Sequence, residues 1–185
     1  MTMPLPGVLL AAVATILLLV SPASAQREQA LMVAIPEGFR LAFKHDAPDG
    51  SMKMTEFVPT GQTVDNWQQM ITVQHFPKLA GADPRELATR WSQRLVAACP
   101  RAQTSPHPQG PVTDHPAVRV YVHITECGGR PPESILALVI KGQDAMHMIQ
   151  HAWRPQPPTP DQLKAAMGVL DRVRLCTAGD TACAR

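Results

Sequence analysis

Histidine and methionine are the residues of this chain whose side chains could bind a metal ion. Imidazole nitrogens and thioether sulfurs together suit copper, which is handled outside the cytosol. Two Met-x-Met pairs, Met52/Met54 and Met146/Met148, provide thioethers. The seven histidines are His45, His75, His107, His115, His123, His147 and His151.

The spacing of these residues argues against a preformed metal site. His147 and His151 are predicted to share one face of a strand, where a rise of about 3.3 Å per residue places them roughly 13 Å apart. A cross-strand pair such as His123 with His147 could lie closer. We expect the methionines to fill the core and the histidines to line a solvated sheet face. The prediction is therefore no metal site and no cofactor, with copper handling as the alternative function.

Common catalytic signatures are absent from the sequence. There is no G-x-S-x-G elbow, no H-E-x-x-H and no Walker A loop. Ser92, Ser105 and Ser134 have no local context that would make a nucleophile. We predict no catalytic residue and lean against an enzyme, leaving a hydrolase without a recognisable motif as a second alternative.

Charge excludes two classes of partner. The formal net charge of the 185-residue chain is +2 and its basic residues are scattered. Neither a nucleic-acid-binding face nor a polybasic membrane patch is indicated.

The N-terminus is typical of a secretory signal peptide over residues 1–25. An apolar run from Gly7 to Val20 is shorter than the roughly 18 to 20 residues that span a bilayer, and Ala23-Ser24-Ala25 follows it. We expect cleavage between Ala25 and Gln26, a periplasmic or secreted protein, and no stable membrane insertion afterwards. An uncleaved membrane anchor is the alternative.

Four cysteines follow the leader, and an even count in an exported chain favours disulfides. We predict that Cys99 pairs with Cys127, because a helix packed on a sheet can bring the end of the helix to the end of the next strand. Cys176 is predicted to pair with Cys183 across Gly179-Asp180. A Cys127–Cys176 bond is the competing arrangement.

The sequence predicts six strands, most clearly where apolar and polar residues alternate. Phe39, Leu41 and Phe43 alternate with polar or small residues, and Val118, Val120, Val122 and Ile124 do so most clearly. Other strands are predicted at Met52–Thr55, Trp67–Phe76, Ile135–Ile140 and Ala145–Trp153. Residues 100–116 are predicted to be a long loop.

Two helices have clear start signals. Asp83-Pro84 and Thr159-Pro160 each supply a capping residue followed by proline at the first helical position. The first helix should end at Cys99 and the second at Cys176. Their apolar stripes, expected to face the sheet, are Leu87, Trp91 and Leu95 in the first helix and Leu163, Met167 and Leu170 in the second.

The predicted element order is βββαβββα, which favours an antiparallel sheet with two helices packed on it, the α+β class. The predicted domain covers residues 26–176, with a C-terminal tail at 177–185. The segments I-P-E-G-F at 35–39, R-V-Y-V at 119–122 and the later G-Q-D turn resemble the PsbP-like fold of exported photosynthetic subunits and bacterial envelope proteins. The segment G-Q-T-V-D-N-W-Q-Q-M-I-T-V-Q at 61–74 resembles small exported proteobacterial proteins.

This resemblance implies a non-enzymatic binding or accessory role in the cell envelope, possible partners being other envelope proteins. It carries no catalytic residue across to this chain.

Export gives the first testable prediction. The chain recovered from the envelope should begin at Gln26, because the small residues Ala23 and Ala25 suit the pocket of signal peptidase. N-terminal sequencing decides the point, and recovery of membrane-bound protein that still begins at Met1 would contradict it.

Overall fold

The structure, a computed structural model, describes residues 29–106 and 115–177 together with Asp180 and Cys183. The predicted leader, the Ala25–Gln26 cleavage site and His107 lie outside these residues. The described residues form nine strands and two α-helices. The strands are β1 (Gln29–Met32), β2 (Phe39–Asp46), β3 (Lys53–Pro59), β4 (Gln69–Phe76), β5 (Ala102–Pro106), β6 (Ala117–Ile124), β7 (Glu133–Lys141), β8 (Met146–Trp153) and β9 (Arg174–Thr177), and the helices are α1 (Pro84–Ala98) and α2 (Pro160–Asp171).

Seven strands form one antiparallel sheet in the order β2-β3-β4-β8-β7-β6-β5, and β1 pairs with β9 in a separate two-stranded sheet. The predicted α+β class, an antiparallel sheet with two helices, is confirmed. A short 3₁₀ turn at Pro77–Leu79 joins β4 to the segment before α1.

The two helices lie on opposite faces of the large sheet. Leu136 and Leu138 of β7 pack with Leu170 of α2, whereas Ile135 and Val139 of the same strand belong to the clusters beneath α1. Successive side chains of a strand point to opposite faces. β7 is therefore apolar on both faces because both of its faces are covered.

Capping determines where the helices begin. The Asp83 side chain accepts a hydrogen bond from the backbone N–H of Arg85, and Pro84 follows as the first residue of α1. Thr159 and Gln162 form a reciprocal capping box at the start of α2. These bonds satisfy N–H groups that have no partner within the helix.

Two disulfides join the pairs that the sequence favoured. Cys99 at the end of α1 is bonded to Cys127 in the β6–β7 turn, with a Cα–Cα distance of 4.8 Å. Cys176 is bonded to Cys183, with a Cα–Cα distance of 6.0 Å. The first bond ties α1 to one end of the sheet.

Three segments differ from the expectations drawn from sequence. The segment predicted as a loop over residues 100–116 contains β5, which pairs with β6 at the sheet edge. The second helix ends at Asp171 rather than Cys176, and Cys176 lies in β9, which extends to Thr177 and pairs with the unpredicted β1. The β1–β9 pairing joins residues far apart in sequence, so local patterns do not indicate it.

A β-bulge corrects the predicted face of β2. The pairing of β2 with β3 shifts in register between Leu41 and Phe43. Phe39 and Leu41 lie opposite Pro59 and Phe57, but Phe43 lies opposite Glu56. Glu56 precedes Phe57 in β3, so its side chain points to the other face of the sheet. Phe43 therefore does not share the face of Phe39 and Leu41.

Leu170 gives a test of the packing of α2. Its side chain is fully buried in the cluster between α2 and the sheet. Leu170→Ala should lower the free energy of unfolding by about 2–5 kcal/mol, since it removes buried methyl groups and leaves a cavity. In urea denaturation the matched control Leu41→Ala, at a side chain that is 46% exposed, should change it by no more than about 0.5 kcal/mol. Equal effects of the two substitutions would refute this packing.

Candidate functional site

Helix α1 covers only part of its face of the large sheet. Trp91 and Leu95 pack over Val122 and Ile135 of β6 and β7. The surface over β3, β4 and β8 is left open, and two adjoining cavities of about 440 and 330 Å³ lie there, with Gln74 in the wall of both. We call the two cavities together the groove.

The smaller cavity, the polar half of the groove, has a strip of polar side chains on its floor. Glu56, Thr72 and Gln150 are direct cross-strand neighbours on β3, β4 and β8. Gln150 Nε2 donates to Gln74 Oε1 at 2.9 Å, and Gln74 Nε2 lies 3.8 Å from the sulfurs of Met52 and Met54. These contacts hold the amides of Gln74 and Gln150 in fixed orientations.

Glu56 is the titratable group of this strip. Its carboxyl is half-buried, and removal from water raises its pKa, an effect that a hydrogen bond with Thr72 partly opposes. Desolvation disfavours the charged form of a carboxyl group. Glu56 thus binds a proton at a higher pH than an exposed glutamate does.

A closed ion pair ends the polar half. Arg154 Nε donates to Glu133 Oε2 at 3.0 Å, and the Arg154 guanidinium carbon lies 4.3 Å from the centre of the Trp67 ring. Arg154 thus covers the Trp67 ring and neutralises the charge of Glu133. This end of the groove is therefore formed by an ion pair and an aromatic ring that contact each other.

The larger cavity, the apolar half of the groove, lies between α1 and the C-terminal end of β4. Its apolar lining comprises Met52, Phe76, Leu79, Ala82, Leu87, Trp91 and Met148. Three exposed cations, Lys78, Arg90 and Arg94, also line it. Lys78 pairs with Asp49 at 3.2 Å and Arg90 pairs with Glu86 at 2.7 Å.

Three histidines, His75, His147 and His151, form two clusters on the sheet face opposite the groove, which is the face that α2 packs on. His75 Nδ1 lies 3.4 Å from His147 Nδ1, so one ring must donate while the other accepts. The predicted closeness of His123 to His147 is wrong, because β7 separates β6 from β8, and His123 instead contacts Ser134. His151 stacks on Trp153 with ring centres 4.5 Å apart.

Burial keeps two of these histidines neutral. Desolvation lowers the pKa of His147 from 6.5 to about 4, helped by neighbouring His75 and opposed by Asp144. Burial alone lowers the pKa of His151 to about 4. His147 Nε2 and His151 Nδ1 are buried without a hydrogen-bond partner among the described residues. A proton would add a charge in surroundings from which water is largely excluded.

Ser134 and His123 resemble a nucleophile with its base, since Nδ1 and Oγ lie 2.8 Å apart. Ser134 is only 1% exposed, however. A substrate cannot reach its hydroxyl in this conformation, so the pair serves to satisfy a buried hydroxyl group.

The methionine pairs lie on the groove face, apart from the buried histidines. Met146 and Met148 are fully buried, while Met52 and Met54 contact Gln74. Exposed His45 lies opposite Met54 in the sheet. Among the described residues no three His, Cys, Asp or Glu side chains are placed to hold a metal ion.

Reasoning from sequence did not identify the polar strip. Its signal was present but weak: Thr72 and Gln74 alternate with Ile71 and Val73, and Gln150 interrupts an otherwise apolar alternation in β8. These side chains meet only because β4 lies beside β8. Gln74 and Gln150, for example, are 76 positions apart in the sequence, so no local pattern indicates their contact.

Several solved structures are similar to this chain, and two of them illustrate the likeness. One is a mutant of the protein Mog1, with a TM-score of 0.44 and 12% identity, covering 78% of this chain and 86% of that one. The other is LpqN, described as involved in cell envelope biogenesis of Mycobacterium tuberculosis, with a TM-score of 0.41 and 10% identity, covering 83% of this chain and 87% of that one. Both have the Mog1/PsbP-like fold.

At these identities the likeness concerns the fold alone. No family profile and no curated protein sequence matches the chain. In the described part of the chain, no helix is long and apolar enough to cross a membrane.

The buried histidines make the fold sensitive to acid. Between pH 6.5 and about 4 the unfolded chain binds protons that folded His147 and His151 do not bind, so the free energy of unfolding falls as the pH falls. Each histidine should contribute a loss of up to about 1.4 kcal/mol per pH unit in this window. Above pH 6.5 both histidines are neutral in the folded and in the unfolded chain, so this loss of stability is absent.

We expect His151→Gln to flatten the pH profile of the free energy of unfolding, measured by urea denaturation. His45→Gln, at an exposed side chain, should leave the profile unchanged. Glu56 has a raised pKa, so its protonation stabilises the folded chain as the pH falls. The contribution of His151 is therefore obtained from the difference between the profiles of the variant and the parent chain. A His151→Gln profile parallel to that of the parent chain would contradict this assignment.

Proposed function

We propose that the protein is exported, that signal peptidase cleaves it between Ala25 and Gln26, and that it works in the periplasm or outside the cell. There it acts as a non-enzymatic ligand-binding or accessory protein of the envelope, with the groove as its binding site. The observation that carries this proposal is the polar strip of Glu56, Thr72, Gln74 and Gln150 on an open sheet face.

The composition of the groove supports ligand binding. Binding sites for small molecules are mostly apolar cavities of roughly 300–1,000 Å³ with a few fixed polar groups. Each half of the groove has a volume in that range. The amides of Gln74 and Gln150 are fixed by hydrogen bonds in the wall that the two halves share.

The cysteines support the compartment. All four cysteines are described, and none of them is free. Disulfides persist in oxidising compartments and are rare in the cytosol. A chain bonded in this way suits the periplasm or the extracellular space.

The chemistry of the groove favours binding over catalysis. Glu133 is neutralised by Arg154, which leaves Glu56 as the carboxyl on the floor without a charged partner among the described residues. General acid–base reactions generally use two titratable groups in different protonation states. One carboxyl group among amides and thioethers is better suited to recognising a polar ligand group.

Ligand retention tests this function. Protein isolated from its own envelope fraction and examined by native mass spectrometry should carry a bound small molecule. Gln74→Trp, which fills the shared wall of the groove, should abolish the adduct. Ala165→Trp, an equally bulky change at an exposed position of α2, should retain it.

Gln150→Leu, which removes one amide at similar volume, serves as a second groove variant if Gln74→Trp lowers the yield of folded protein. It should reduce occupancy, because Gln74 loses its partner. Folding is checked by near-ultraviolet circular dichroism. Equal adducts on the parent chain and on both folded groove variants would exclude the groove as the binding site.

A further inference from the structure

The apolar half of the groove combines an apolar lining with positive charge at its mouth. Six of its seven apolar side chains are only half-buried, and the seventh, Met148, is fully buried at the floor. Half-exposed Phe76, Leu87 and Trp91 lose water contact only if a further apolar group covers them. Burial of such surface is favourable by about 25 cal/mol per Å².

The cations come from both walls of this half. Lys78 lies on the sheet side, while Arg90 and Arg94 lie one turn apart on α1. Lys78 and Arg90 already pair with Asp49 and Glu86. Arg94 has no carboxylate partner in the described part of the chain, so the mouth has one uncompensated positive charge.

No carboxylate lines this half among the described residues. The carboxyl groups of the groove, Glu56 and Glu133, lie in the polar half. Arg154 neutralises Glu133. The unpaired charge therefore changes along the groove, from Arg94 beside α1 to Glu56 in the polar half. An anion is attracted to the first end and repelled from the second.

From this combination we infer that the apolar half of the groove binds an anionic amphiphile. The apolar chain of the ligand lies against Phe76, Trp91 and Met148, and its carboxylate or phosphate head is held by Arg94 with Arg90 and Lys78. The long stems of these cations pack along the apolar lining while their charged heads stay in water. A copper ion bound to the methionines would face the same three cations, which disfavours it.

This inference rests on the proposed function, and probes of matched chain length test it. The probes are laurate, dodecyl phosphate, dodecanol and dodecyltrimethylammonium, titrated as monomers into the disulfide-bonded chain from Gln26 by calorimetry. Laurate and dodecyl phosphate should bind about tenfold or more tightly than the other two, since only they form charge-assisted hydrogen bonds with arginine. Added salt should weaken the binding of the anionic probes only.

Two variants of the same helix locate the site. Arg94→Gln should weaken binding of the anionic probes by about threefold to tenfold and leave dodecanol unaffected. Arg85→Gln makes the same change of charge on the other side of α1, where Arg85 lines a separate cavity of about 640 Å³ against β5 and β6. It should leave all four affinities unchanged.

Three results would overturn the inference. Dodecanol could bind as tightly as laurate, Arg85→Gln could cause the larger loss, or the anionic probes could fail to bind. If a native ligand is still lost on Gln74→Trp, the groove remains the binding site and only the ligand class is wrong. If no ligand of any kind is retained, both proposals fail together.

Discussion

A single helix is too narrow to cover a seven-stranded sheet, and this mismatch shapes the protein. Strands are spaced about 4.8 Å apart, so seven of them extend over roughly 30 Å, whereas a helix with its side chains is about 10–12 Å wide. On one face α2 and the β1–β9 pair share the task of covering the sheet. On the other face α1 lies over β5, β6 and β7. The groove is the remainder of that second face.

The disulfide between Cys99 and Cys127 fixes which part remains open. It holds the end of α1 at the β6–β7 turn, with Cα atoms 4.8 Å apart. The other end of α1 begins at Pro84, which is buried. A helix held at both ends cannot slide across the sheet toward β3 and β4. The bond thus maintains the groove as well as the stability of the domain.

Local signals in the sequence predicted much of the fold. The capping residues Asp83 and Thr159 mark both helix starts, and alternation over Val118–Ile124 marks β6. The pairing of β1 with β9 and the bulge at Leu41/Phe43 were missed, since the first joins distant segments and the second breaks the alternation without a glycine or proline. The site was missed for a related reason: Thr72 and Gln150 become neighbours only through the β4–β8 pairing.

Polar residues interrupt apolar strands on both faces of this sheet, but in different surroundings. His147 and His151 lie on the face that α2 packs on, are 1% and 5% exposed, and stay neutral at neutral pH because burial disfavours their charged forms. In the core these two histidines fill space and make the folded state less stable in acid. On the α1 face, Glu56, Gln74 and Gln150 are only half-buried and open into the groove.

Apolar residues at these three positions would suit a covered face, but in the described part of the chain no element covers them. Local departures from the pattern that stabilises a fold are expected at functional sites. The histidines depart from that pattern where no ligand can reach them, whereas the strip departs from it where a ligand can enter. Accessibility, rather than polarity alone, is therefore the reason for proposing the groove on the α1 face as the binding site.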